Sequence, residues 1–370
     1  MIAALLPLIL AAALRTLPTP ADRTSAPKEP ALLGVAVNLP ETAPAAERQK
    51  ALDVVRRAGV SVFAFEVSWP EAERKPGRYD VEQVTRAARL LRQSGAVLHL
   101  DLPLVNGRAR VTPPALAQFA FDDPRLSLAL GRLLDALGPA LLDFSTISLG
   151  NEADSYFADR PAELAAFRRL FDGAVTYLRQ KAPRLLVGVA TGAPTDSHAP
   201  VVAAALHQKS PALFYVYAPF LPDAPFTHRP PETLDRDWKA ILTAAAGRPV
   251  AFTEVSYSSA AENGASPAKQ AEFVRRMQRF LESSDRSQLL FARYVPWRDP
   301  PPNTVDPLTA GPSPGERAQP SVIERESGGG EGIALRRAAF FANRGLQRFD
   351  GTPKPAWREL DTAGPKRRHP

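Results

Sequence analysis

The sequence predicts an α/β protein built as a (β/α)8, or TIM, barrel, and three observations carry that expectation. Short apolar, β-branched runs alternate with helix-like segments along most of the 370 residues. The length suits one large barrel of about 250 residues plus insertions. No Gly-rich phosphate loop follows the first run, which reaches Asn38, although an open doubly wound sheet would usually carry one there.

The elements follow in order. Strand-like runs are read at Leu32–Asn38, Val60–Trp69, Ala96–Val105, Phe144–Gly150, Leu185–Thr191, Leu213–Phe220, Val250–Tyr257 and Leu289–Trp297. Apolar positions three or four apart mark helices at Ala45–Ala58, Val81–Ser94, Ala162–Gln180, Val201–Gln208, Thr233–Ala245, Pro267–Leu281 and Ala334–Gly345. Gly59 and Gly95 stand just past two of these helices, and Ser266-Pro267 opens another. Two stretches break the alternation. Asn106–Pro124 reads as a long connection after strand 3, and Asp299–Gly332, rich in Pro, Gly and Ser, as a loop after strand 8. The predicted organisation is a signal-like segment and Pro-rich linker over 1–30, one barrel over 31–360 with the Pro/Gly-rich loop at about 299–333, and a basic tail over 361–370.

Composition narrows the chemistry. Hydrophobic content of 45% and charged content of 23% suit a globular chain with a sizeable core. With no cysteine, disulfides, thiolate metal sites, a cysteine nucleophile and a lipoprotein anchor are excluded. The net charge of +7 comes mostly from arginines scattered among acids, and the one basic cluster, Lys366-Arg367-Arg368, is in the tail. No nucleic-acid partner is expected. Ile2–Leu14 is too short to span a bilayer, which takes roughly 20 apolar residues, and fits the core of a secretory signal, although no Lys or Arg precedes it. Ala11 and Ala13, or Ala21, supply small residues for cleavage. The expectation is a secreted or periplasmic monomer with no stable membrane insertion.

Catalytic groups of such barrels stand at the C-terminal ends of strands. Those ends offer Asn38; Glu66 and Trp69; His99, Asp101 and Asn106; Asn151, Glu152 and Asp154; Tyr217; Glu254; and Tyr294 and Trp297. Acids, amides and aromatics suit a sugar, since amides and acids bind hydroxyls and indoles stack on pyranose rings. There is no lysine placed for a Schiff base and no Ser-His-Asp set. Two apolar runs, Ile147–Glu152 and Pro249–Glu254, each end on a carboxylate. Period-two alternation puts Val250, Phe252 and Glu254 on one face; with Phe252 in the barrel interior, Glu254 stands above it over the mouth. Thr146, Ser148, Gly150 and Glu152 likewise share a face. Strands 4 and 7 lie across the mouth, so the two glutamates can meet. Retaining glycosidases need two carboxyls about 5–5.5 Å apart, and acids that close raise one pKa. No cofactor and no metal is expected. Two other readings stay open: a metal-dependent barrel hydrolase using His99, Asp101, Glu152 and Glu254, and a glycan-binding barrel without turnover. Trp69 and Trp297 also fit ordinary core, and Glu66 and His99 fit satisfied polar positions inside the barrel.

With these residues in place, the chain resembles the clan A retaining glycoside hydrolases, a (β/α)8 superfamily that includes cellulase-like and endo-galactanase families. Leu149-Gly150-Asn151-Glu152 resembles the clan's strand 4 ending, and Phe252-Thr253-Glu254-Val255 its strand 7 ending. The resemblance implies Glu152 as acid/base, Glu254 as nucleophile and Asn151 as ligand of the sugar 2-hydroxyl. Trp69-Pro70-Glu71-Ala72-Glu73-Arg74-Lys75-Pro76-Gly77 is similar to a stretch after strand 2. Trp297 is similar to the tryptophan flooring the −1 subsite, and Tyr217-Ala218-Pro219-Phe220 to a strand 6 motif whose tyrosine bonds the nucleophile. Asp350-Gly351-Thr352-Pro353-Lys354-Pro355-Ala356 resembles the clan's closing segment. An oligo- or polysaccharide partner follows. The chain departs from the pattern by lacking an arginine at the end of strand 2 and a histidine before the strand 6 aromatic.

Overall fold

The structure, a computed structural model, describes residues 29–39, 42–195, 199–302 and 330–363. The signal-like segment, residues 303–329 of the expected loop and the basic cluster at 366–368 lie outside the described residues.

The barrel strands are β1 Leu32–Val35, β2 Val62–Glu66, β3 Val97–Asp101, β4 Thr146–Ser148, β6 Leu213–Tyr217, β7 Val250–Val255 and β8 Leu289–Tyr294. Between β4 and β6 lies β5, in two halves, Leu186–Gly188 and Ala190–Gly192. The first half pairs with β4 and the second with β6, and β1 pairs with β8 from Leu32↔Phe291 to Val35↔Tyr294. The nine hydrogen-bonded segments, all parallel, therefore form a barrel closed through the single residue Val189.

Around it run α1 Ala45–Arg57, α2 Glu82–Gln93, α3 Pro124–Leu137, α4 Leu164–Lys181, α5 Pro200–His207, α6 Thr233–Ala244, α7 Pro267–Ser283 and α8 Gly330–Asn343. Helix α3 begins at Pro124, the last residue of the expected connection, and fills the place of the helix between strands 3 and 4, for which the sequence reading gave no bounds. Asp123 caps it, its carboxylate accepting the Arg125 backbone N–H at 2.9 Å, and Pro124 takes the first turn, where a missing N–H costs nothing. Leu126, Leu130, Leu133, Leu134 and Leu137 form its buried stripe.

Two apolar layers hold the fold. Leu32, Val62, Ala190, Ala212, Phe214, Ala251 and Phe291 fill the barrel interior. Gly188 leaves that interior room for Phe214, because a Cβ there would come within 2.7 Å of the ring. The larger layer lies between strands and helices; in it Trp238 of α6 stacks on Phe252 of β7, centroids 4.0 Å apart.

Two buried histidines set a pH dependence. His207 pairs with Thr191 Oγ1 at 2.9 Å, and burial, assisted by Arg248, pushes its pKa down to about 3. His228 accepts the Ser258 N–H at 2.8 Å under the Tyr257 ring, and burial pushes it down to about 3. Both folded values lie below the unfolded value near 6.5. Their stabilisation is thus complete above that value and is lost as pH falls towards the folded one. Between pH 7 and 4 each ring is expected to remove about 3 kcal/mol of unfolding free energy in urea titrations. Both rings should remain neutral by NMR in the folded chain at pH 5.

Candidate active site

The mouth of the barrel is built from the ends of β2, β3, β4, β7 and β8. On β7 simple alternation fails, and the failure positions the site. Phe252 faces the helices against Trp238, not the barrel interior, so the expected face is wrong. Register against β6 runs Phe252↔Tyr215, then Glu254↔Val216 and Val255↔Tyr217. Thr253 is therefore an extra residue, a β-bulge, and the shift turns Glu254 back into the mouth. Bulges of this kind re-aim a side chain beside a site.

Across from it, β4 ends at Ser148, and Asn151 forms a parallel bridge with Asn106. The Asn151 amide donates to Glu254 Oε1 at 3.3 Å and to Asn106 Oδ1 at 3.3 Å, which links the strand 4 and strand 7 endings directly. Glu152 is exposed and holds a left-handed backbone, φ 44° and ψ 39°, at the start of the short helix Ala153–Asp159. For a residue other than glycine that geometry costs on the order of 1–3 kcal/mol, a strain that concentrates at working sites. Asp154 is buried and accepts the Gly192 N–H at 2.9 Å, tying this helix to β5.

A polar chain lies beneath the mouth. Inside the barrel His99 Nδ1 pairs with Thr146 Oγ1 at 2.7 Å and His99 Nε2 with Asp101 Oδ1 at 2.8 Å. Arg293 Nη2 donates to Asp101 Oδ2 at 3.2 Å, and its Nε to the Thr253 carbonyl at 2.7 Å. Burial alone would raise the Asp101 pKa, but the charge and hydrogen bond of His99 and the Arg293 charge hold it below the usual carboxylate value. Glu66 shows the opposite balance. Desolvation against the cleft wall, then the Asp101 and Glu254 charges, raise its pKa despite Arg293, although its side chain still reaches solvent. Arg344, just past α8, lies over Phe341 with 4.7 Å to the ring centroid. Burial lowers its pKa, while the charges of Glu254 and Glu152 act to raise it.

Several expected ligands lie elsewhere. Tyr217 is buried in the outer layer, its hydroxyl donating to Asp237 of α6 at 3.0 Å and its ring stacked on Phe273 of α7, so it does not orient Glu254. Tyr294 is buried too, bonding the carbonyls of Tyr257 at 2.8 Å and Arg344 at 3.0 Å. Trp69 has no exposed surface; its indole donates to Glu73 at 2.7 Å, whose other oxygen takes the Gly77 N–H at 2.7 Å. The Trp-to-Gly stretch is thereby a loop staple. Trp297 is buried beneath the Arg298 guanidinium and beside Trp357, leaving no open face for a sugar. Asn38 spends both ends of its amide on the Arg298 backbone, each at 2.8 Å, which pins β1 to the segment after β8. His99 is sealed in the interior and acts only through Asp101. With both ring nitrogens engaged it is not free to ligate a metal, and the described residues contain no cluster of three or more His, Asp or Glu fit to hold one. Glu66, Asp101, Asn106, Asn151 and Glu254 do come together. The two arginines were missed by the sequence reading, though a charge following Phe291 on the inward face of β8 was a signal for Arg293.

No protein-family model and no curated protein matches the sequence. Solved structures do match. GH5_18 of Streptomyces cattleya, in complex with GlcNAc, superposes with a TM-score of 0.64 at 15% identity, over 92% of this chain and 81% of that one. The chain has the fold of the clan A glycoside hydrolases. The exo-β-1,4-mannosidase Op5Man5 of an Opitutaceae bacterium, strain TAV5, matches at TM-score 0.61 and 15% identity, over 91% of this chain and 59% of that one. Xylanase 10B of Thermotoga maritima matches at 0.57 and 12%, over 90% and 94%. At such identities the likeness is one of fold, and the chemistry must be argued from the residues.

Proposed function

We propose that this chain hydrolyses β-linked glycosides or glycans with retention of configuration, Glu254 acting as nucleophile and Glu152 as acid/base. The observation that carries the proposal is the Asn151–Glu254 hydrogen bond at 3.3 Å, which places the residue preceding Glu152 against the strand 7 carboxylate. In the first step Glu254 attacks the anomeric carbon, the glycosidic bond breaks, and Glu152 gives its proton to the leaving oxygen. In the second, Glu152 takes a proton from water, which displaces Glu254 and releases the sugar. Asn151, already within reach of Glu254, holds the 2-hydroxyl where charge develops. The substrates printed for the structural relatives, mannosides and xylans, support a β-glycan as substrate class. Export through the segment 2–14 belongs to the same proposal.

One observation favours a second reading: Glu66 stands near Asp101 and Glu254, and desolvation and their charges raise its pKa, which suits a proton donor in place of Glu152. The Glu152→Ala variant separates the two. On aryl β-glycosides with good leaving groups, azide is expected to accelerate turnover of this variant and to yield a β-glycosyl azide. If Glu66→Ala behaves that way and Glu152→Ala does not, the acid/base assignment moves to Glu66.

A further inference from the structure

Arg293 occupies a position that its strand does not explain. Its neighbours on β8, Phe291 and Ala292, are fully buried and apolar, yet it carries a fixed charge into the barrel. Space for it comes from β1. Gly34 is its register partner, and a Cβ on Gly34 would stand 3.0 Å from Arg293 Cβ and 3.2 Å from its Cα. The guanidinium then divides its donors. One goes to the Asp101 carboxylate, which His99 fixes from the other side, and the Nε–H goes to the carbonyl of Thr253. Thr253 is the extra residue of the β7 bulge and immediately precedes Glu254. A bulge leaves its extra residue without a ladder partner, so the Thr253 carbonyl depends on a donor from within the barrel.

We propose that Arg293 is a positioning residue: seated in the space Gly34 leaves, it clamps the Thr253 carbonyl and thereby fixes the aim of Glu254. The proposal rests on the reading of Glu254 as nucleophile, but it concerns how the carboxylate is held. The clamp is itself held. Thr146 on β4 orients His99 on β3, His99 orients Asp101, Asp101 orients Arg293 on β8, and Arg293 holds the bulge on β7. One polar chain thus crosses the interior from the strand of the acid/base to that of the nucleophile. Arginine suits the task because its rigid planar fork holds two acceptors in fixed relative directions, whereas a lysine's ammonium is a point charge with freely rotating donors.

The test uses Arg293→Met, Arg293→Lys and Gly34→Ala in the full chain. Kinetics are run on the 4-nitrophenyl β-glycoside that the wild type cleaves best, together with amide hydrogen exchange over Phe252–Val255 and ¹³C NMR titration of Glu66. For Arg293→Met, kcat is expected to fall about 100-fold with KM within about two-fold, since small misplacement of a reacting group acts on the chemical step. Exchange across the bulge should quicken at least ten-fold. The Glu66 midpoint should rise, because of the charges facing it Asp101, Glu254 and Glu71 remain while Arg293 is gone. Arg293→Lys should lie between, and Gly34→Ala should shift kcat in the same direction without removing any polar group. Unchanged exchange at Phe252–Val255 and an unchanged kcat in folded Arg293→Met protein would overturn the proposal. If the wild type cleaves no aryl glycoside, the catalytic reading fails by itself, while exchange and titration still decide whether Arg293 holds the bulge.

Discussion

Glu254→Ala is expected to lower hydrolysis of activated aryl β-glycosides by on the order of 10⁴-fold or more, about 5 kcal/mol of barrier. The size follows from the two-step mechanism, in which no other group can supply the covalent intermediate. The truncated side chain leaves a space on the face from which Glu254 attacks, opposite the departing oxygen. Azide entering that space should restore turnover and yield an α-glycosyl azide, the inverse of the β product expected for Glu152→Ala. Fold should be little affected, because Glu254 is half-buried at the rim and its removal frees one donor of Asn151, which keeps Asn106. Activity close to wild type in Glu254→Ala would sink the nucleophile assignment.

The largest effect on stability is expected from Asp299→Ala. Lys354 Nζ lies 2.7 Å from one oxygen of Asp299 and 2.9 Å from the other, with Ser259 Oγ and the Asn343 carbonyl completing its shell. Both side chains are nearly inaccessible, at 8% and 10% exposure. Burial pushes the Asp299 pKa up and the Lys354 pKa down, each opposed by the other's charge. Removing one member strands the other in a poorly solvated place, which costs about 3–5 kcal/mol, whereas replacing both with apolar groups is often neutral. Asp299→Ala should therefore unfold at markedly lower urea, and Asp299→Ala with Lys354→Met should recover most of the loss. If the double variant is no more stable than the single, the pair is not the source. The same contact accounts for the Pro-Lys-Pro-Ala closing segment: its lysine is an internal strut, not a surface charge.

Much of this architecture was legible before any coordinates. Every barrel strand falls within a run that alternation and β-branching had marked, apart from Gly192, one residue past the run ending at Thr191, because a strand buried on both faces leaves little room for anything else. The helix beginning at Pro124 was left without bounds because Asp-Asp-Pro reads equally well as a loop and as a cap followed by a first turn. Side-chain direction was the least legible quantity. Glu254 was placed at the mouth by an alternation that the Thr253 bulge breaks, so the position was right for a reason that does not hold. Tyr217 was assigned by a motif resemblance, whereas alternation along its own strand, with Phe214 in the barrel interior, turns it outward. The tryptophans illustrate a second limit. An indole beside a strand end serves a sugar platform or a core equally in sequence, and only the surrounding packing shows that Trp69 and Trp297 are core. Arginines 293 and 344 escaped because each acts through residues far away along the chain.

The strut between Asp299 and Lys354 also bears on how this scaffold can change. It joins the backbone just before Pro300 to the segment that follows α8, and the Gly345 N–H bonds Asp299 Oδ1 at 2.8 Å. The closing segment is therefore fixed to the end of β8 by contacts among the described residues themselves, so a change in the number of residues between 303 and 329 need not break them.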